Sequence, residues 1–484
     1  MTPQAFRRIA VIVLGALALS HCAHSPVGRG KGSVLMSEQQ EIQLGAQASQ
    51  AVLQEYAPLD RPALQAYVNE VGQRLAKQSQ RPTLPWHFAV VDSPDVNAFS
   101  LPGGHVYITR GLMAYLNSEA ELAGVIGHEI GHVAARHGVR QQGASTADGA
   151  GVALGSLLVP ETDNQAGAAL VQTLAPAWRA GYGRGRELEA VRLGADYLAK
   201  AGYDPQAMIE VIALLKNQQL FSAEQARRDG HSSPATYHGS FAMLPGDDAQ
   251  LKQGVADASK HAIANPREGR TDYLQKMAGL YFGDSPDQGV IRNNALLHER
   301  LGLTIQFPLG WRVQNRPDRV SATSPQGDAI VELVQGPQND NPLETLQKGV
   351  KLDAGARYDS GRLSGYPAAF AAGAQQGKPA VVAVVVFNGT QYLIAGMTRD
   401  ALAYERERSA LRAAINSFRA MTPAERLAAR PEVLQLLTAG PGLTMAALAR
   451  KSPLGAVAEA QLRLLNNLYP GGEPTPGQLL KIVQ

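Results

Sequence analysis

Apolar residues recur at helical spacing through 37–56 and 62–77, which predicts two helices. In the second, Ala63, Tyr67, Val71 and Leu75 fall every fourth residue and predict one buried stripe. The pattern then changes period. Residues 86–91 and 105–109 read as strands, and Pro102-Gly103-Gly104 between them reads as a turn, so the unit is a hairpin or a strand-turn-strand. A long helix is expected from Ser118, with Glu121 three residues on completing a capping box. Residues 143–185 are rich in Ala and Gly and contain no apolar run long enough to span a membrane. Helical spacing resumes at 186–202, and Asp204-Pro205 opens a further helix. Beyond about residue 290 the period becomes that of strands, at 303–307, 311–313, 329–334, 380–387 and 391–395, with helices at 342–352 and 406–418.

The expected class is therefore α+β: a mainly helical region with a small sheet, a separate small α+β domain, and a short terminal unit. The boundaries expected are 38–285, 296–420 and 425–484. A length of 484 residues calls for two or three cores, and 45% hydrophobic with 18% charged residues describes a globular chain. The net charge is +3 with no long block of like charge, which argues against nucleic acid as a partner. Residues 1–22 read as a signal peptide: Arg7 and Arg8 precede a short apolar stretch that ends at Cys22, the sole cysteine. A lone cysteine makes no internal disulfide, so its expected use is lipidation of the mature N-terminus; His21 departs from the small residue usual there. The alternative is a plain cleaved signal.

Candidate chemistry lies in His128-Glu129-Ile130-Gly131-His132. Histidines four apart on a helix project from one face and can share one metal ion, while Glu129 stands about 100° around, close enough to act on a water beside that ion. The bland alternative is a buried helix with two satisfied histidines. A third ligand decides between them, because hydrolytic zinc takes three protein ligands and keeps a position open. Glu189, Arg192, Asp196 and Lys200 alternate in sign along one face, the pattern of a solvated surface. Glu187 instead shares a stripe with Ala190, Val191, Gly194 and Leu198, where a carboxylate must be paired, protonated or metal-bound. The competing reading is an ion pair from Glu187 to Arg184 or Arg186. Gly127 and Gly131, one turn apart, predict close approach by another element.

HEIGH, the upstream NAFSLPGG-HVYITRGL and the downstream YGRGRELEA…AGYDP together resemble the HtpX and CaaX-prenyl-protease type of zinc metallopeptidase, a gluzincin, nearest its periplasmic BepA-like branch. The resemblance spans about 38–285. It implies one Zn2+ per chain on His128, His132 and Glu187, with Glu129 as general base. It further implies an edge strand at 97–104 to which substrate adds, and so a substrate-binding or supporting role for Asn97, Phe99, Gly103, Gly104 and Arg184. Two departures stand out. Val191 replaces an aspartate that orients a ligand histidine in relatives, with Asp196 the nearest substitute, and Leu244 replaces a histidine that gates the zinc. His231 and His238 are read as surface loop residues.

The function expected is a zinc endopeptidase of the bacterial envelope, lipid-anchored in the outer membrane and facing the periplasm, acting on unfolded or misassembled outer-membrane proteins. The alternative is a weakly active or inactive chaperone or assembly factor. Residues 436–483 faintly resemble a LysM peptidoglycan-binding module, although Leu443 stands where an aspartate is usual, which weighs against glycan binding. That unit suggests a further alternative within proteolysis, cell-wall or lipoprotein maturation. No 34-residue helical repeat follows residue 300.

Overall fold

The computed structural model describes residues 36–141, 182–228, 248–316 and 319–484. Cys22, His231, His238 and Leu244 lie outside the described residues, as does most of 143–185. The N-terminal region begins with α1 (Glu38–Glu55), whose Ser37 N-cap and Gln40 form a reciprocal capping box, and α2 (Pro62–Ala76). The α2 stripe is shifted from the expected one: Leu64, Tyr67, Val68, Val71 and Leu75 are buried, whereas Ala63 is exposed. A stripe drifts by 3.6 residues per turn, so strict every-fourth spacing runs off the buried face.

Three strands follow, β1 (His87–Val91), β2 (Ala98–Leu101) and β3 (His105–Thr109), in the order β1-β3-β2. β1 runs parallel to β3, so the strands at 86–91 and 105–109 do not form a hairpin with each other; β2 forms the antiparallel hairpin with β3 across the Pro102-Gly103-Gly104 turn. The turn needs its glycines, since Gly103 and Gly104 have φ of 82° and 99°. A short helix α3 (Arg110–Tyr115) leads to α4 (Glu119–Ala134), then come α5 (Arg184–Ala201), α6 (Ala207–Arg228), α7 (Ala249–Ser259) and α8 (Arg270–Met277). The N-terminus of α4 departs from a full capping box. Ser118 Oγ accepts from Glu121 N, but the Glu121 carboxylate turns away to accept from Asn117 N at 2.6 Å and Asn467 Nδ2 at 2.8 Å.

The remaining strands are β4 (Tyr281–Phe282), β5 (Val290–Arg292), β6 (Ala295–His298), β7 (Leu303–Gln306), β8 (Arg312–Asn315), β9 (Arg319–Thr323), β10 (Ala329–Gln335), β11 (Arg357–Leu363), β12 (Tyr366–Gln375), β13 (Lys378–Phe387), β14 (Thr390–Thr398), β15 (Arg419–Ala420), β16 (Glu432–Thr438) and β17 (Leu479–Val483). Seven of them, in the order β11-β12-β13-β14-β10-β9-β8, make one antiparallel sheet. Helix α9 (Pro342–Gly349) packs on one face through Leu346, and α10 (Ala401–Asn416) covers the other through Leu411, Ala414 and Ile415. The terminal unit runs α11 (Pro423–Ala428), β16, α12 (Met445–Ala449), α13 (Ala458–Leu465), β17.

This last unit does not stand apart. Leu434, Met445, Leu462, Leu465 and Leu480 belong to the same core as Leu64, Leu112, Ile126 and Leu198, and β4 of the N-terminal region pairs with β16. The whole is α+β. Among the described residues, no helix is long and apolar enough to cross a membrane.

Candidate metal centre

α4 and α5 cross at very short range because glycines line the contact. A Cβ added at Gly131 would lie 2.7 Å from Ala190 O, and one added at Gly194 would lie 2.9 Å from His128 N. The expected close approach at Gly127 and Gly131 is thus made by α5, and it has a consequence for chemistry. It carries Glu187, in the first turn of α5, onto the histidine face of α4. His128 Nε2 and His132 Nε2 are 2.9 Å apart, and each lies 3.3 Å from Glu187 Oε2. His128, His132 and Glu187 are all buried and form the one three-residue metal-holding group among the described residues.

The donor set fits a tetrahedral ion. Metal–ligand bonds of about 2.0–2.1 Å at tetrahedral angles put neighbouring donors about 3.3 Å apart, close to the three separations seen. Bond satisfaction points the same way. Glu187 Oε1 accepts from Tyr182 N at 2.6 Å, but Oε2, aimed between the two rings, makes no hydrogen bond. A buried carboxylate oxygen without a hydrogen bond is costly unless a cation answers it. Electrostatics agree. Burial alone would raise the Glu187 pKa, but His132 and His128 hold it well below the carboxylate range. Burial and the neighbouring His132 push His128 down. Burial also works against a charged His132, yet Glu187 outweighs it and raises that ring. Either a proton on His132 or a bound cation answers the carboxylate.

The other expected site residues are distributed as follows. Glu129 is buried beside the cluster, and its Oε2 accepts a 2.8 Å hydrogen bond from Ser100 Oγ on β2. Sequence spacing gives no sign of this, because the two residues are 29 positions apart and meet only through packing. β2 is an edge by pairing, but Ala98, Phe99, Ser100 and Leu101 are all buried. Phe99 and Leu101 sit under Leu44, Ala48 and Val52 of α1. Asn97 O accepts from Thr109 N, and Gly103 N donates to Glu41 Oε1. Gly104 O accepts from His87 N. Arg184 pairs at 2.6 Å with Asp248, and Arg186 donates to Gln141, so neither guanidinium is ion-paired to Glu187. Val191 is a core residue, and Asp196 pairs with Lys200 on the surface, away from the cluster.

One expectation needs correction. Glu189 is not simply part of the solvated face: its side chain is 21% exposed, and Oε2 lies 3.1 Å from His137 Nε2 and 3.8 Å from Arg140. His137 in turn sits with Nδ1 2.8 Å from His132 Nδ1. Local spacing gives no sign of this contact, because His137 is five residues from His132 and so off the helix face. Arg136 makes the difference. Its φ of 58° turns the chain after α4 and brings His137 back over His132. Burial pushes His137 down to about 4, so the ring is neutral near pH 7.

An HExxH helix joined by a carboxylate from an adjoining helix offers three protein donors to a single metal ion. Residues 62–258 match Peptidase family M48. The chain is similar to the beta-barrel assembly-enhancing protease of Escherichia coli K12, 35% identical over 204 residues, which are 41% of this chain and 42% of that protein. It is also similar to the mitochondrial metalloendopeptidase OMA1 of Arabidopsis thaliana, 35% identical over 25% of this chain and 24% of that protein. To the metalloprotease YcaL of E. coli K12 it is 31% identical over 32% of this chain and 65% of that protein. The match thus spans less than half the length of the first two relatives.

Proposed function

We propose that this chain is a zinc-dependent endopeptidase of the bacterial cell envelope that degrades or processes misassembled outer-membrane proteins. The observation carrying this reading is the convergence of His128, His132 and a hydrogen-bond-deficient Glu187 oxygen beside Glu129. When bound there, zinc supplies Lewis-acid polarisation and a more acidic water. Two imidazoles and one carboxylate would hold it, and the Tyr182 backbone fixes the carboxylate's second oxygen. Glu129 takes the proton of the attacking water and returns it to the leaving nitrogen. Ser100 keeps its carboxylate in place for both transfers.

The choice of outer-membrane proteins as clients rests on the similarity to a beta-barrel assembly-enhancing protease. Residence in the periplasm, with a lipid on Cys22 tethering the chain to the outer membrane, rests on the signal-like residues 1–22. The β-α-α-β order of the terminal unit supports the LysM-like reading and with it peptidoglycan as a further partner. The decisive experiment is zinc analysis and casein cleavage by the full chain beside Glu129→Gln. The variant is expected to hold one zinc per chain and lose about 10²–10⁴-fold in rate. Wild-type protein that binds no zinc, or a variant that cleaves at the wild-type rate, overturns the assignment.

A further inference from the structure

The far ring nitrogen of His132, a member of the metal-holding trio, faces a second imidazole at hydrogen-bond distance. The line runs His132 Nδ1 to His137 Nδ1, 2.8 Å, then His137 Nε2 to Glu189 Oε2, 3.1 Å. Hydrogen positions along this line follow from one fact: a carboxylate only accepts. The hydrogen on His137 must therefore be at Nε2, donated to Glu189. That leaves His137 Nδ1 as an acceptor, which requires the hydrogen of His132 to be at Nδ1. His132 Nε2 is then left with its lone pair directed at His128 Nε2 and Glu187 Oε2, the place where a cation is held. One surface-edge carboxylate thus selects the tautomer of a buried ring two hydrogen bonds away.

The surroundings fasten the line at both ends. Arg136, in the left-handed region, aims His137, and its own side chain is held by Glu41 at 2.8 Å and by Met36 O at 2.7 Å. Such a conformation in a non-glycine residue persists only where neighbouring contacts enforce it. Arg140 stands 3.8 Å from Glu189 on the outer side. The position where the family resemblance expects an orienting carboxylate holds Val191, which has no hydrogen-bonding atom on its side chain.

We infer that His137 and Glu189 are positioning residues for metal binding, acting as a two-member hydrogen-bond relay that holds His132 in its metal-binding tautomer and orientation. The inference rests on the zinc reading above. Partners of this kind typically contribute about 10–100-fold in metal affinity.

The test is zinc affinity of the full chain, measured by competition with a chromogenic chelator, with the melting temperature of metal-free protein recorded alongside. His137→Phe and Glu189→Leu are expected to weaken zinc binding about 10–100-fold. Glu189→Gln keeps an acceptor for His137 and is expected to recover most of that loss. Should His137→Phe fail to fold, the partly exposed Glu189→Leu and Glu189→Gln pair decides the matter. Unchanged zinc affinity in Glu189→Leu overturns the relay, and so does a lower melting temperature without any change in affinity, which marks a merely structural contact. Wild-type protein that holds no zinc fails the functional proposal itself, an outcome distinct from wild-type protein that holds zinc no better than its variants.

Discussion

Helix α4 carries buried charge at both ends, and the two ends are satisfied differently. Near its start, Lys481 is fully buried, and Nζ donates to the carbonyls of Ala114, Tyr115 and Leu116 at 2.7, 3.0 and 2.6 Å. Glu121 in the same region accepts from Asn117 and Asn467. Burial pushes Lys481 well down and Glu121 up, each toward its neutral form. Toward the other end, His128, His132 and Glu187 are equally buried, yet Glu187 Oε2 has no hydrogen bond. The charged groups of the first cluster find hydrogen-bond partners within the protein and fasten the terminal unit to α3 and α4. The second is complete only with a cation or a proton. Buried charge alone does not mark a metal site; a buried carboxylate oxygen without a hydrogen bond, set between two imidazoles, points to one.

The largest expected effect comes from removing that oxygen. Glu187→Gln should abolish tight zinc binding, a loss beyond the roughly 10–100-fold of an outer-shell change. The metal-free protein should melt only modestly lower than wild type, because the loss of the His132–Glu187 attraction is partly offset by relief of a buried charge. Chelator competition and thermal melts check both halves, and a sharp fall in metal-free stability would break the comparison. Lys481→Met should do the converse. It strips three buried carbonyls of their donor, costing about 3–5 kcal/mol in urea denaturation. Zinc affinity should stay within a few-fold of wild type.

Gly131→Ala probes the link between the two ends. Its Cβ would meet Ala190 O at 2.7 Å, so α4 and α5 must separate. Stability should fall by about 1–3 kcal/mol, and zinc binding should weaken with it, because the same contact sets the Glu187–histidine distances. Unaltered zinc affinity would show that the trio tolerates a wider helix pair. The smallest effect is a control outside both clusters. Burial in the strand-rich region pushes His298 down to about 4. An unfolded histidine titrates near about 6.5, so the unfolded chain binds the extra proton first. Stability from His298 is thus intact above about pH 6.5 and is lost as pH falls toward 4, about 1 kcal/mol of it by pH 5.5. Denaturation of metal-free His298→Asn against wild type at pH 7.5 and 5.5 measures it.

What could be read along the chain was what depends on neighbours within a turn or a strand. The HExxH pair is legible because helix geometry alone puts residues four apart on one face, and Glu187 is legible because a carboxylate breaks an apolar stripe. Strands β7, β10, β13 and β14 announced themselves through runs of Val, Ile and Leu. β11 did not, since six of its seven residues are exposed and its sequence, RYDSGRL, has no apolar alternation. β12 was hidden by its small residues, PAAFAAGA, which carry little periodic signal.

The tertiary structure alone decided the partners. Ser100 meets Glu129, His137 meets His132, and Lys481 meets the end of α3 across separations that no local period encodes. It also moved Glu189 from the solvated face to the edge of the metal centre. The physical reason is common to all four. Sequence dictates which side chains a helix or strand presents, through bond geometry that is the same in every chain. Which of those side chains must then satisfy one another is settled only when packing removes water and each buried donor or acceptor is left with the neighbours that the fold supplies.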